Sequence, residues 1–262
     1  MDPAEAGRGR DPGAEARLIR AIGPRGAPGA VVAFAAVTST MDAAHELAAA
    51  DCPDRTLVWA LRQTAGRGRF GRRWESPDGG AYCSIVVRPP RPMEEVSQLS
   101  LVAGLAVCEA IEGLLQEPPR IRWPNDVLLG DAKVAGLLVE MRKRSAVVGI
   151  GINVSSLPGD LPAGSISLRE AGAAGCDPCG AVARTFAAFD ARYTQWANEG
   201  FSPLRVPLRG RLATLGGMVT VQTGGDVVHG QALDLDEGGR LLLRLESGIQ
   251  RAFDSGEVTL LR

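Results

Sequence analysis

The chain has 262 residues, a formal net charge of -1 and a pI near 6.2. That is enough for one sizeable core plus a small second domain, and too little positive charge for a protein whose main work is binding nucleic-acid backbone. Hydrophobic content of 45% with 5% aromatic residues is ordinary for a globular enzyme.

Other classes fall away next. No run is long and apolar enough to span a bilayer, and the first thirty or so residues lack the apolar core of a secretory signal. A cytoplasmic protein is expected. Cys52, Cys83, Cys108, Cys176 and Cys179 are odd in number and irregular in spacing, which argues against a disulfide framework. Cys176 and Cys179 make one CxxC without a second pair, and read as a loop. His45 and His229 are the only histidines, too far apart for histidine-based metal or triad chemistry, and His45 reads as a surface residue.

Residues 1–28, rich in Pro, Gly and Ala, read as a disordered tail or a degenerate leader. Ala30 to Phe34 is a short apolar strand. Thr38-Ser39-Thr40 then offer hydroxyl caps to a helix from Met41 to Ala50. A strand, Thr56 to Leu61, runs into a loop, and Ser76-Pro77-Asp78-Gly79-Gly80 is strong turn chemistry before a buried strand from Ala81 to Arg88. Leu99, Val102, Ala106 and Ala110 set a helical period between Val96 and Leu115, which Pro118-Pro119 stops. Ile121-Arg122-Trp123 leads to a Pro-Asn-Asp turn and a hairpin, Val127 to Leu129 with Val134 to Val139. Ala146 to Val154 is a strand in which glycine alternates with β-branched residues, a pattern that lets a ligand lie against the backbone. Val182, Phe186, Phe189, Tyr193 and Trp196 mark the core side of a helix between Pro178 and Gly200. From Met218 onward, five short alternating runs separated by Gly-rich turns indicate a small SH3-like β-barrel.

The chemistry concentrates in the loop Gln63 to Trp74, which holds Arg67, Arg69, Arg72 and Arg73 among Gly66, Gly68 and Gly71. Glycine permits close approach and positive φ, and arginine offers a planar fork matched to phosphate or carboxylate. On its own the loop suits either a specific phosphate or nucleotide ligand or a nucleic-acid backbone. Three weaker clusters accompany it: Trp123-Pro124-Asn125-Asp126, Lys133 across the hairpin, and Gly149-Ile150-Gly151-Ile152-Asn153. The last is no dinucleotide fingerprint, since no helix pattern follows it, and there is no P-loop.

Taken together and in this order, Gly66 to Trp74, Arg122 to Asp126, Lys133 to Leu138 and Gly149 to Asn153 resemble the motifs of biotin–protein ligases, and the resemblance covers roughly Val31 to Arg262. It implies an α+β fold. A catalytic domain of the class II aminoacyl-tRNA synthetase and biotin-ligase type, with a mixed β-sheet over residues 29–208, precedes an SH3-like C-terminal domain over 209–262. It also implies the reaction: biotin and ATP give biotinyl-5′-AMP and pyrophosphate, and the adenylate biotinylates one lysine of a biotin carboxyl carrier protein or domain.

By the same resemblance, Lys133 would contact the biotin carboxyl and the α-phosphate. Arg67 and Arg69 would fold over the acyl-phosphate, and Arg72 would lie nearer the pyrophosphate. Ser39, Thr40 and Gln63 would hydrogen-bond the ureido ring, Gly66 and Gly136 would open backbone to biotin, and Tyr82 would wall the pocket. Trp74 would stack on adenine, and Asn125 and Asn153 would read the nucleotide side. Asp126 would hold Mg²⁺ or orient the incoming amine, with Mg²⁺ mainly bridging phosphates. A lipoate or octanoate ligase of the same fold is a rival, and the Ser39, Thr40 and Gln63 set favours a ureido ring over an alkyl chain. Met41 stands where the family usually has Asn, and Phe70 sits inside the loop. The glycines of the loop predict disorder without ligand. About thirty residues precede the catalytic domain, too few for a helix-turn-helix module, so a monofunctional ligase without DNA is expected. Both a monomer and a homodimer stay open.

Overall fold

The computed structural model describes residues 9–156 and 159–261. Its centre is a mixed seven-stranded sheet in the order β1-β2-β3-β7-β6-β5-β4. These strands are β1 (Ala30–Phe34), β2 (Thr56–Ala60), β3 (Gly80–Val87), β4 (Arg120–Arg122), β5 (Asp126–Leu129), β6 (Ala132–Arg142) and β7 (Ser145–Asn153). β1 and β2 run parallel, and the remaining pairs are antiparallel.

Side-chain alternation assigns the two faces. Ala33, Leu57, Trp59, Cys83 and Ile85 point to one side, into a core shared with α1 (Pro12–Ile22), α3 (Leu99–Glu112) and α4 (Pro178–Glu199). Val32, Phe34, Val58, Val86 and Val147 point to the other, where α2 (Thr40–Ala49) lays down Met41, Ala43 and Ala44. The α4 stripe Val182, Phe186, Phe189, Tyr193 and Trp196 is buried, as its spacing predicts. The strands and helices expected between Ala30 and Glu199 all appear, with ends shifted by up to three residues; a 3₁₀ stretch, Met93–Gln98, replaces the first turn of the helix expected from Val96.

The expected tail is corrected over Pro12–Ile22, which is helical. Asp11 caps it by accepting from Ala14 N, proline occupies its first turn, and Ala14, Leu18 and Ile22 form one buried stripe on a helix packed against α4 and β1. Residues 1–8 lie outside the described residues. α5 (Ser202–Arg211), which the sequence reading did not separate out, follows α4 and leads to the C-terminal unit. There β8 (Met218–Thr223), β9 (Asp226–Leu235), β10 (Leu241–Arg244), β11 (Gln250–Phe253) and β12 (Glu257–Leu260) form the five-stranded antiparallel SH3-like unit, in the order β11-β10-β9-β8-β12.

Two features place the site. The hairpin registers align Asp126 on β5 with Gly136 on β6 and Gly136 with Gly151 on β7, so a strip of sheet without side chains opens on the α2 face. Trp123 is buried and donates its indole N–H to Gly239 O at 3.1 Å, fastening the C-terminal unit beside that strip.

Candidate active site

Over the bare strip lies a cleft of about 210 Å³, bordered by the N-terminus of α2, the arginine loop, the Trp123 to Asp126 turn, strands β6 and β7, and residues 256–259 of the C-terminal unit. At one end is a neutral hydrogen-bonding corner. Ser39 caps α2 by accepting from Met41 N. Thr40 donates its backbone N–H (2.8 Å) and hydroxyl (3.1 Å) to Gln63 Oε1, and its Oγ1 accepts from Ser84 Oγ at 2.8 Å. Gln63 Nε2 donates to Ser76 Oγ at 2.9 Å. The Ser39 hydroxyl hydrogen and the second Gln63 amide hydrogen remain as donors by valence alone. Met41 presses its sulfur onto Gly149, where a Cβ would come within 2.5 Å of it. The floor of this corner is therefore apolar where an amide was the family expectation.

The other end is cationic, and its charges are held rather than loose. Lys133 Nζ lies 2.6 Å from Asp126 Oδ1 and 5.1 Å from the Trp74 ring centroid, while Arg122 Nη2 lies 2.6 Å from Asp126 Oδ2. Arg67 Nη2 meets Asp42 at 3.1 Å and Glu140 at 3.0 Å. Arg72 makes a two-pronged pair with Glu257 of β12. That pair raises the arginine's pKa and lowers the glutamate's, each chiefly through the mutual hydrogen bond. Arg69 differs: its Nη1 donates to two neutral acceptors, Asn125 Oδ1 at 2.8 Å and Gly256 O at 3.1 Å. Burial is the largest influence on Arg69 and lowers its pKa, so this is a desolvated cation with charge to share. A ring of cations, most of them shadowed by carboxylates, is stable when empty and gains when an anion takes the carboxylates' place.

Trp74 roofs the strip. A Cβ at Gly136 would come within 2.5 Å of its ring, and one at Gly151 within 2.6 Å of its indole nitrogen. That nitrogen and Arg67 Nε are buried without a hydrogen-bond partner. Such donors are costly to bury unpaired and mark where a ligand acceptor belongs. The disorder expected of the loop is offset by these pairs and by Trp74 N donating to Gly66 O at 3.0 Å. Phe70 takes a left-handed φ of 58° at the loop tip and is 67% exposed, with the Arg69 guanidinium over its ring.

A match to known proteins agrees with this geometry. The model of the Biotin/lipoate A/B protein ligase family matches residues 33–156, and that of the Biotin protein ligase C terminal domain matches 214–261. The biotin--[acetyl-CoA-carboxylase] ligase of Mycobacterium tuberculosis is 36% identical over 215 residues, covering 80% of each chain. The chain belongs to the biotin protein ligase family. The bifunctional ligase/repressor BirA of Bacillus subtilis is 36% identical over 229 residues, covering 84% of this chain and 70% of that one. Among solved structures, the biotin protein ligase from Aquifex aeolicus in complex with biotin and ATP superposes with a TM-score of 0.78 at 30% identity, covering 89% of this chain and 99% of that one.

For a biotin protein ligase, most of the expected residues meet in one cleft: Ser39, Thr40, Gln63, Arg67, Arg69, Arg72, Trp74, Asn125, Asp126, Lys133 and Gly136 line it. Three do not. Tyr82 is buried on the cleft side of the sheet, opposite Gly151, but its hydroxyl donates back to Pro77 O at 2.7 Å and the ring does not line the cleft. Asn153 donates its amide to Lys133 O and Ile166 O, both at 3.3 Å, and ties strand ends together. The side-chain space of Gly66 is filled by Trp74 O and Ser76 Oγ. Sequence reasoning missed Glu257 and Gly256, because nothing local in β12 announces a contact with a loop 185 residues earlier. It also misplaced His45, which is buried and 2.9 Å from Glu140.

Asp126 has both oxygens engaged by cations, and no group of three His, Cys, Asp or Glu that could hold a metal ion occurs among the described residues. Likewise, among the described residues no helix is long and apolar enough to cross a membrane.

Proposed function

We infer that this chain is an ATP-dependent biotin–protein ligase that forms biotinyl-5′-AMP and passes biotin to a lysine of a biotin carboxyl carrier protein. The observation that carries the reading is the juxtaposition, in one cleft, of the neutral Ser39–Thr40–Gln63 corner with the Lys133, Arg67 and Arg69 cations. A vitamin with a polar ureido ring at one end and a carboxylate at the other matches that polarity. A lipoyl or octanoyl chain has nothing to offer the neutral corner, whose donors would stay unpaired.

In the first step a biotin carboxylate oxygen bonds to the α-phosphorus of ATP and the bond to the β-phosphate bridge breaks, releasing pyrophosphate. Two anions must meet, and the cations offset both their repulsion and the charge that develops in the transition state. Lys133 lets go of Asp126 to reach the carboxylate and the α-phosphate. Arg69 and Arg67 hold the acyl-phosphate, and Arg72 trades Glu257 for the departing pyrophosphate. Trp74 roofs the nucleotide side, with Asn125 behind it. Mg²⁺ would enter this reading as a counterion that offsets the charge of the ATP phosphates. In the second step the acceptor amine attacks the acyl carbon, an amide forms, and AMP leaves with the bonding oxygen. Asp126 takes up hydrogen bonding to that amine once Lys133 has turned to the substrates.

Three further parts of the reading concern surroundings. The chain acts without DNA, supported by its net charge of -1 and by an N-terminal helix that packs onto α4 and β1 of the catalytic part. It works in the cytoplasm, where ATP is available. The functional division falls between a catalytic part ending near residue 208 and the C-terminal unit, whose β12 closes the cleft. Biotin-dependent exchange of labelled pyrophosphate into ATP tests the reading: exchange with biotin and none with lipoate supports it, and lipoate-driven exchange or none at all overturns it.

A further inference from the structure

His45 sits on the inward face of α2, its side chain only 4% exposed, with Nε2 2.9 Å from Glu140 Oε2 on β6. The same carboxylate oxygen lies 3.0 Å from Arg67 Nη2. One atom therefore serves an imidazole on one side and a cleft arginine on the other. Arg67 Nη2 also meets Asp42 at 3.1 Å, while Nε–H is buried without a partner. One edge of the guanidinium is thus anchored to α2 and β6, and another donor is left for a ligand. His45 itself does not line the cleft.

We propose that His45 is a positioning residue for adenylate formation: by donating Nε2–H to Glu140 it fixes the carboxylate that fixes Arg67 at the reacting acyl group. The proposal rests on the assignment of this cleft to biotin activation. Arginine has many rotamers to lose, and a carboxylate free to swing would hold it loosely. A hydrogen bond from a buried ring removes that freedom, as outer partners do for ligands elsewhere.

The protonation state matters to this device. Burial is the largest influence on His45 and lowers its pKa. Arg142 and Arg67 push the same way, while the hydrogen bond and charge of Glu140 push back. The charged groups around the ring are thus Glu140 and Arg142 on β6 and Arg67 on the loop, with Asp42 of α2 meeting Arg67. As the neutral tautomer with hydrogen on Nε2, His45 orients Glu140 and leaves its charge to Arg67. An imidazolium would compete for that charge.

The test is a double-mutant cycle combined with a titration. In biotin-dependent pyrophosphate exchange, His45→Ala should lower kcat/KM for biotin by about tenfold, the usual scale for losing such an outer partner. His45→Gln, which still donates from a neutral group, should recover most of that loss. In an Arg67→Ala background His45→Ala should cost nothing more, since the arginine it positions is gone. An equal loss in both backgrounds, or no loss in the wild type, overturns the proposal. NMR titration needs no activity, and only His229 shares the spectrum. Arg67→Ala should raise the His45 pKa and Glu140→Gln should lower it. A His45 titration indifferent to Arg67 overturns the coupling. Intact coupling in a chain that shows no biotin-dependent exchange would instead indict the assigned reaction.

Discussion

Gly151→Ala tests how closely the loop must lie on the sheet. The added methyl would meet Trp74 Nε1 and Cε2 at 2.6 Å and Cζ2 at 2.9 Å. Ordinary contact between such atoms is about 3.5–4.0 Å, so the ring must rise by roughly 1 Å. An indole is rigid and cannot bend aside as a flexible side-chain end would. Overpacking of this kind costs about 1–3 kcal/mol, and about 1.4 kcal/mol is tenfold in an equilibrium constant. The cost falls on the closed loop, because Trp74 belongs to the loop and the strand beneath is held on both sides by β3 and β6. Gly151→Ala should therefore lower kcat/KM for ATP by about tenfold to a hundredfold, with little change in the urea midpoint of unfolding. Steady-state pyrophosphate exchange measures it, with ATP and biotin varied separately. The control is Trp74→Ala: with the ring gone the methyl has nothing to strike, so the double variant should match Trp74→Ala alone. A Gly151→Ala enzyme with wild-type kinetics, or a loss that simply adds to that of Trp74→Ala, would mean that the ring does not lie on this strip when substrate is bound.

The remaining expectations concern the ammonium, the tyrosine of β3 and the buried imidazole. Lys133→Ala should slow adenylate formation by about a hundredfold or more in a single-turnover assay, the scale of losing a transition-state charge partner; near-normal formation would remove Lys133 from the chemistry. Tyr82→Phe should leave exchange kinetics unchanged and lower stability by about 1 kcal/mol for the lost bond to Pro77 O, measured by urea unfolding; a rise in the KM for biotin would restore Tyr82 to the pocket wall. His45 titrates below 6.5 in the folded protein, so the unfolded chain takes up its proton first as the pH falls. Its contribution is constant above pH 6.5 and is lost as the pH drops from there through the folded pKa. His45→Gln should flatten that part of the stability profile, and an unchanged acid slope would place the ring in solvent.

Much of the fold was legible because its signals are local. The continuous apolar run of β3, the glycine alternation in β7, the Pro118-Pro119 stop and the aromatic stripe of α4 each follow from residues within one element. The first helix was legible too, and was masked by composition: Asp11 before Pro12, with Ala14, Leu18 and Ile22 four residues apart, is a capped amphipathic turn set inside a Pro- and Gly-rich stretch. α5 hid behind Pro203 and Pro207, the second of which lies inside the helix and removes a backbone donor there. His45 could have been placed by its spacing from Met41, since residues four apart on a helix share a face and Met41 is core. The motifs located the cleft because loop, turn and hairpin each carry an unusual residue pattern. What they could not supply was pairing across the fold. Glu257 on Arg72, Glu140 on Arg67 and Gly256 on Arg69 join segments that no local pattern links. A tyrosine whose hydroxyl is tied back to Pro77 and one on the pocket wall look the same in sequence.

The direct test of acyl adenylation in this cleft is the fate of oxygen. Biotin labelled with ¹⁸O in both carboxylate oxygens, turned over with ATP and a carrier-domain acceptor, should yield AMP carrying one ¹⁸O per biotin transferred, read by mass spectrometry. Unlabelled AMP, with the isotope in pyrophosphate or free phosphate instead, would show that the carboxylate never bonded to the α-phosphorus, and would contradict the role given to Lys133, Arg67 and Arg69.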